Sequence, residues 1–473
     1  MNKVFKVGLI GCGHIAETYF RAHKYFNNFK IIKCADVKSE AAKKCAKTYR
    51  IQAVSVNELL KDKKVEIILN LTPPKVHYQI AKKSLLNGKH VYSEKPLAIN
   101  LKDGKELIKI SKRKKLYLGN APDTFLGGGN QKSKELLENK NIGKVNLGNA
   151  IFAFPGVQSY HPNPEPWFAK KEGGPVIDMG PYYLTALVNL LGPAKEVKAA
   201  SLMRGASFRT IGIGPKKGKK IKVECPTTYF TTIIFKNGSI IRLTLSFDVI
   251  AHQRNHIELY GTKGSMIVPD PNMFGGSVLI SKKLGSSWKN FKTNKMTLGK
   301  INIRSQSSRA NESPTNANYR GVGLSEMISS IQKKKLHKCN GNLSLHVLNI
   351  IDAIHNSAKK SKKVKINQLC ERPTIFSKKE IKNIIKSHIY DGVALTKFLF
   401  WLKKNYRKQN VNEISAQEKL LKFRKENKNF KFLSFPTISG SGPNGAIIHY
   451  KASKKSNRKL KKGNIYLKKG TNN

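Results

Sequence analysis

Residues 70–96 read NLTPPKVHYQIAKKSLLNGKHVYSEKP. Residues 65–71 are apolar enough for a buried strand, and Pro73 and Pro74 stop its pairing and set up a helix start. Ile80, Ala81, Leu85 and Leu86 recur at helical spacing over about twelve residues, and Gly88 supplies a left-handed exit. A short strand, residues 90–92, then runs into Ser93-Glu94-Lys95-Pro96. Lys95 is thereby expected at the carboxyl end of a parallel strand, the edge at which open α/β sheets bind ligands. An ordinary solvated turn is the alternative reading of these four residues.

Toward the amino terminus, residues 3–10 form an apolar strand followed by Gly11-Cys12-Gly13-His14-Ile15-Ala16 and a helix. This is the G-x-G-x-x-A form of the dinucleotide fingerprint. Gly11 allows the tight turn, Gly13 lets the backbone approach a pyrophosphate, and Ala16 permits close helix–strand packing. The helix start at His14 and Ile15 offers N–H groups and a positive dipole end to phosphates. A second strand, residues 30–35, ends in Asp36, placed to accept hydrogen bonds from ribose hydroxyls. That favours NAD over NADP, whose 2′-phosphate the carboxylate repels, while Lys38 leaves NADP open; a plain turn residue is the alternative for Asp36. Alternating strands and helices of these lengths predict a doubly wound parallel sheet. Asn100 is expected to cap a further helix, with Asp103 in its first turn.

Beyond residue 122 the pattern changes. Residues 123–143 read as a helix, and extended segments follow at 148–157, 227–235 and 239–248, the last two flanking Lys236-Asn237-Gly238. Residues 257–260 and 265–268 bracket Gly261-Thr262-Lys263-Gly264 in the same way. This predicts an α+β domain with an open, largely antiparallel sheet. Residues 214–222 read as a loop crossing the sheet, and 298–319 as a mobile polar loop. Helices resume at 324–332 and 343–359. The chemistry-bearing stretch is Gly173–Tyr183, where Pro181 starts a helix and leaves Asp178 just ahead of it and Tyr182 on its first turn. Asp178 either caps that helix or serves chemistry; Tyr182 either packs on the sheet or binds and orients a hydroxyl. His161, on the proline-rich loop with Tyr160, Trp167 and Phe168, is a candidate substrate contact or a structural histidine.

The fingerprint Gly11–Ala16, the TPPxxH segment (Thr72, Pro73, Pro74, His77), GKHVYSEKP and the run Ala121–Gly127 together resemble the glucose–fructose oxidoreductase / inositol dehydrogenase / MocA family over residues 3–370. The resemblance implies a dinucleotide-binding domain (1–122), a substrate and oligomerisation domain (123–370), and NAD(P)-linked oxidation or reduction of sugars, polyols or their derivatives. It implies a cofactor set of Gly11, Gly13, His14, Ile15, Asp36, Thr72, Pro73, His77, Glu94 and Lys95. Lys95, Asp178 and Tyr182 become the catalytic candidates, and these three with His161 the substrate contacts. Related sequences carry a histidine where Tyr182 stands, which leaves the second proton-transfer group open. Lys95 would serve as acid/base if burial or a nearby cation lowers its pKa toward neutrality, with Glu94 pointing away.

After a junction at 371–378, residues 379–473 differ in character. DGVALTKFLFWL, EISAQEKL and FPTISGSGPNGAIIHY are similar to the Xaa-Pro aminopeptidases at the opening of their metal-binding domain, and His449 matches that family's substrate-side histidine. Two helices, 389–402 and 413–426, and a strand at 446–450 are expected. The resemblance stops where Leu467-Lys468-Lys469-Gly470 replaces the strand that carries the first metal-ligating aspartate. An incomplete domain without peptidase activity is the expectation.

Composition sets the remaining bounds. The 473 residues carry 88 Lys+Arg against 29 Asp+Glu, a formal net charge of +59. The excess is mostly lysine spread along every segment, with no basic helix face and no interleaved aromatic stacking pattern. Affinity for nucleic acid is therefore expected to be nonspecific at most. A polyanion-binding protein and a non-catalytic nucleotide-binding or sensory protein are the competing function classes. Pairing into a homo-oligomer is compatible with the family resemblance and opposed by the charge. No apolar run approaches the length of a membrane span, and Met1–Lys6 leads straight into a strand without a signal peptide, so a cytoplasmic chain is expected. The six cysteines show no CxxC or Cys/His ligand spacing, so neither a disulfide framework nor a metal site is expected.

Overall fold

The computed structural model describes residues 3–23, 25–169, 173–203, 208–296, 298–302, 317–367, 370, 378–406, 411–427, 438–441, 443–444, 452–453, 455–460 and 465–468. The chain divides into two compact units, residues 1–373 and 374–473.

The first unit opens with β1 (Phe5–Ile10), α1 (His14–His23), β2 (Phe29–Ala35), α2 (Ser39–Tyr49), β3 (Gln52–Ala53), α3 (Val56–Lys61), β4 (Ile67–Asn70), α4 (Pro74–Leu86), β5 (His90–Ser93), α5 (Leu101–Lys114) and β6 (Leu118–Asn120). The six strands form one sheet in the order β3-β2-β1-β4-β5-β6, parallel throughout. This is the doubly wound sheet expected, with the order reversing between β1 and β4. α4 begins at Pro74 and ends before Gly88, whose φ of +74° takes the left-handed exit. The side chain of Asn100 accepts from the Asp103 N–H at 2.9 Å and caps α5.

The unit continues with α6 (Gly128–Glu138), β7 (Val145–Ala153), α7 (Pro175–Asp178), α8 (Gly180–Leu191), β8 (Ala194–Leu202), β9 (Phe208–Thr210), β10 (Lys220–Lys222), β11 (Thr228–Phe235), β12 (Ile240–Ser246), β13 (Ile257–Gly261), β14 (Gly264–Val268), β15 (Val278–Ser281), β16 (Lys289–Phe291), α9 (Val322–Gln332), α10 (Gly341–Lys360) and β17 (Val364–Lys365). Nine of these strands form an open sheet, β16-β15-β14-β13-β7-β12-β11-β8-β17, antiparallel except where β7 runs parallel to β12. α8 is buried along its whole length and shares one apolar core with β7, β8, β11–β15, α9 and α10. Leu345 and Leu348 of α10 also pack among Leu97, Leu107 and Leu118, so this helix joins the two sheets into one body.

Three expectations need correction, and a fourth falls largely outside the described residues. Residues 214–222 are not loop throughout: residues 220–222 form β10, which pairs antiparallel with β9 in a hairpin. Residues 123–143 are not one helix, because Asp123 spends its carboxylate on the N–H groups of Gly321 and Gly323 at 2.8 and 3.1 Å, capping α9 instead of its own segment. A single 3-10 turn, Thr124–Leu126, follows it before α6 starts at Gly128. The strand read at 148–157 is β7, shifted toward the amino terminus and ended by Pro155-Gly156. Of the loop read at 298–319, residues 303–316 lie outside the described residues; its two ends are tied by reciprocal hydrogen bonds between Asn302 and Asn318, at 2.6 and 2.7 Å.

In the second unit, α11 (Lys378–Asn405) and α12 (Glu413–Lys425) pack through Phe398, Leu402, Ala416 and Leu420, with Val411 and Leu460. Asn412 and Ser415 form a capping box on α12. Glu413 is fully buried and accepts from the N–H groups of Ser441 and Arg458 and from the Asn444 amide. β18 (Ile438–Ser441) pairs antiparallel with β19 (Ile465–Lys468), so the segment expected to have lost its strand is in part extended and hydrogen-bonded. The strand expected at 446–450, and His449 with it, lie outside the described residues. Among the described residues, no helix is long and apolar enough to cross a membrane.

Candidate functional site

Register aligns the carboxyl ends of the first sheet. Ile10 pairs with Ala35 on one side and Asn70 on the other; Asn70 pairs with Ser93, and Ser93 with Asn120. The residues that leave this edge are Gly11, Asp36, Leu71-Thr72, Glu94-Lys95 and Ala121, which is why segments far apart in sequence share one rim. Buried Asn70 organises it: its amide donates to Ser93 Oγ and the His77 carbonyl, and its Oδ1 accepts from Thr72 Oγ1 at 2.7 Å.

At the first turn, Gly11 has φ +101°, and a Cβ there would sit 2.6 Å from the Leu71 carbonyl carbon, so no larger residue fits. A Cβ on Gly13 would meet nothing within 4 Å, which leaves open space against the start of α1. Ala16 is buried against the sheet. Asp36 reaches back under the turn: its Oδ2 accepts from the Cys12 N–H at 2.8 Å and its Oδ1 from the Lys38 N–H at 2.9 Å. An ionised carboxylate has acceptor capacity for further donors beyond these two. The open cradle at Gly13, the exposed helix start at His14 and the acidic residue at the end of β2 fit a dinucleotide.

Asp178 of α7 and Tyr182 of α8 meet at Lys95, and Arg320 and Glu94 adjoin them. Lys95 Nζ donates to Asp178 Oδ1 at 2.8 Å and to the Asp178 carbonyl at 2.7 Å, and lies 5.2 Å from the centre of the Tyr182 ring. Asp178 ends the one-turn α7; its side chain caps neither α7 nor α8. Arg320, from the loop before α9, also lies over Tyr182, 5.8 Å from the ring, with Nη1 3.4 Å from the phenol oxygen. The same Nη1 is 3.6 Å from Glu94 Oε1, which also accepts from Tyr19 Oη at 2.9 Å. Glu94 is thus buried and turned toward α1 and Arg320, with its second oxygen on the Lys95 N–H at 3.0 Å.

Burial disfavours the Lys95 charge, but the Asp178 carboxylate, the Tyr182 phenol and the Asp178 hydrogen bond outweigh it, and the amine is held above its ordinary value. The lowering that acid/base work by Lys95 would call for is therefore not met in this geometry, because Asp178 is the ion-pair partner of the lysine.

His77 turns inward. Its ring nitrogens lie 2.6 Å from the Thr72 carbonyl and 2.8 Å from that of Pro96, and burial lowers its pKa. It laces the TPP loop to the Lys95-Pro96 turn and presents no atom to the rim; Pro73 is exposed. His161 sits 6.3 Å, ring to ring, from His14 and 4.7 Å from Trp167, so a cofactor-set histidine and a substrate-set histidine face one another. Burial lowers the His161 pKa, against the opposing pull of the Asp178 carboxylate. Arg320, Asp123 and Tyr19 were missed as site residues. Arg320 follows a polar stretch with no periodic signal and reaches the site only because α9 packs beside β6.

Residues 5–121 match the oxidoreductase family with an NAD-binding Rossmann fold, residues 130–267 match the C-terminal domain of the same GFO/IDH/MocA family, and residues 382–469 match metallopeptidase family M24. Among solved structures, a levoglucosan dehydrogenase in complex with NADH and L-sorbose is similar at a TM-score of 0.65 and 19% identity, covering 77% of this chain and 99% of that one. An oxidoreductase from Agrobacterium radiobacter in complex with NAD+, L-tartaric acid and magnesium is similar at 0.63 and 17%, covering 76% and 98%. At these identities the likeness shows the fold. A Xaa-Pro aminopeptidase of Drosophila melanogaster is 42% identical over 110 residues, which are 23% of this chain and 18% of that protein. The chain thus spans less than a fifth of the length of the curated relatives it matches. Residues 5–267 belong to the Gfo/Idh/MocA family of NAD-binding oxidoreductases, and residues 382–469 carry a stretch of metallopeptidase family M24.

Proposed function

We propose that residues 1–370 act as a nicotinamide-dependent oxidoreductase, moving a hydride between NAD(P) and a hydroxyl or carbonyl carbon of a sugar- or polyol-like small molecule. The observation that carries this reading is the Lys95 amine, held at the carboxyl edge of the parallel sheet and flanked by Asp178 and Tyr182 from the second domain. The bound cofactor supplies or accepts the hydride. Gly11, Gly13 and the start of α1 would hold its pyrophosphate, and Asp36 the ribose hydroxyls, which favours NAD.

Lys95 Nζ would donate to the substrate oxygen and exchange the proton there. Asp178 keeps Nζ protonated at rest, which suits reduction: the proton passes to the oxygen as the carbonyl carbon is reduced. In the oxidative direction Nζ must first give up a proton, and Asp178 Oδ1, 2.8 Å away, is the adjacent acceptor. Tyr182, with Lys95 and Arg320 both near its ring, would orient the substrate hydroxyl. His161 would contact the substrate from the loop it shares with Trp167.

The test is binding of NADH and NADPH followed by fluorescence, then a panel of sugars, polyols and their keto forms followed by nicotinamide absorbance. Tight cofactor binding with no substrate turning over would replace the enzyme reading with that of a cofactor-binding sensor, in which the Lys95–Asp178 pair is only a structural tie. Sequence-selective retention of nucleic acid at physiological salt would instead favour a dedicated nucleic-acid role, since the +59 charge by itself gives only sequence-independent binding.

A further inference from the structure

Ligand spacing in the sequence points to no metal site, yet the fold gathers three of the six cysteines. Cys12 is the middle residue of the turn after β1, Cys34 the penultimate residue of β2, and Cys45 lies on α2. Their sulfur atoms all lie within 4.8 Å of one another. An ion bound at about 2.3 Å would set three sulfurs about 4 Å apart in a planar array, so the thiols need to close by less than an ångström. The contacts that hold them now are weak: Cys12 Sγ is 3.7 Å from the Ala35 carbonyl and Cys34 Sγ 3.5 Å from that of Ala42. Cys34 and Cys45 are buried in the apolar core, while Cys12 is half-buried and leaves an entry side. A sulfur set in a dry surround excludes hard ions that keep their water and selects soft ones.

We propose that Cys12, Cys34 and Cys45 form a three-thiolate site for a soft, thiophilic d10 metal ion of the Cu+ or Zn2+ class. Binding exchanges three S–H bonds for three metal–sulfur bonds and releases the protons to solvent, with no change of oxidation state. A three-coordinate Cu+ is complete with these ligands; Zn2+ would add a water on the Cys12 side. Because the Cys12 N–H donates to Asp36, the ion would tie the glycine turn, the end of β2 and α2 together beneath the dinucleotide cradle. The site stands independently of any turnover at Lys95.

The experiment uses the full chain, reduced and stripped of metal. Cd2+ serves as a probe through its thiolate-to-metal charge-transfer absorption, and anaerobic Cu+ and Zn2+ arms compete for the same sites. One ion per chain is expected, together with protection of Cys12 from alkylation. Cys12→Ser, Cys34→Ser and Cys45→Ser should each weaken binding at least about tenfold, and Cys370→Ser should leave it unchanged. Cys12→Ser, at a half-buried position, keeps the test usable if a core variant fails to fold. Absence of the charge-transfer band in the unmodified chain, or a band undiminished in Cys12→Ser, overturns the proposal and makes the trio ordinary core packing.

Discussion

Lys95 Nζ, just past β5, donates to both the carboxylate and the main-chain carbonyl of Asp178 at the end of α7, at 2.8 and 2.7 Å. Two hydrogen bonds to one residue fix the amine's position, and the carboxylate fixes its charge. Asp178→Asn keeps the shape and removes the charge. With burial left as the dominant influence, the amine's pKa should fall. For oxidation, which needs the neutral amine, the rise of kcat/KM with pH should move to lower pH. A pH–rate profile that does not move separates Asp178 from the ionisation of Lys95.

Lys95→Ala should lower turnover by roughly 10²–10⁴-fold while cofactor affinity, measured by NADH fluorescence, stays within a few-fold. Its ammonium sits over the Tyr182 ring rather than against the glycine turn, so the two readouts should part. Retained turnover would take the amine out of the chemistry.

Arg320 bridges Glu94 and Tyr182 inside the protein. Arg320→Met leaves the buried Glu94 without its cation, at a cost of about 3 kcal/mol in unfolding free energy. Arg320→Lys should recover part of the stability but not the placement of Tyr182, since an ammonium lacks the planar guanidinium that lies over the Tyr182 ring. Denaturant melts and kcat for the two variants check this. Wild-type stability in Arg320→Met would show that the Arg320–Glu94 bridge contributes nothing to the fold.

His90 and His337 flank Tyr117, with ring centroids 5.6 and 5.5 Å from it, and burial pulls both pKa values down to about 4. Unfolding returns them to about 6.5, so the unfolded chain binds more protons between these values. Stability should therefore be complete above about pH 6.5 and fall on acidification toward pH 4, by up to ~1.4 kcal/mol per pH unit for each histidine. His337→Gln should flatten that slope in urea titrations of the first unit; an unchanged slope would assign acid lability to other groups.

Deleting residues 379–473 removes most of a separate compact unit. Oxidoreductase activity should survive in the remaining chain. Xaa-Pro peptides should be untouched by the full chain with or without added Mn2+, because no aspartate or glutamate follows Glu426 to hold two metal ions. Peptide cleavage that disappears on deletion would reverse this.

The alternation of apolar strand and amphipathic helix, the GCGHIA turn and the break at Pro73-Pro74 are local signals, and they settled the parallel sheet and the position of Lys95 at its carboxyl edge. Backbone constraint is written in neighbouring residues: glycine where φ is positive, proline where pairing stops, an acid where β2 ends. The ionisation of Lys95, the inward turn of His77, the Arg320 bridge and the meeting of Cys12, Cys34 and Cys45 are set by side chains brought together from distant segments. Charge and coordination depend on distances through space, and those exist only once strand register and helix packing have been decided.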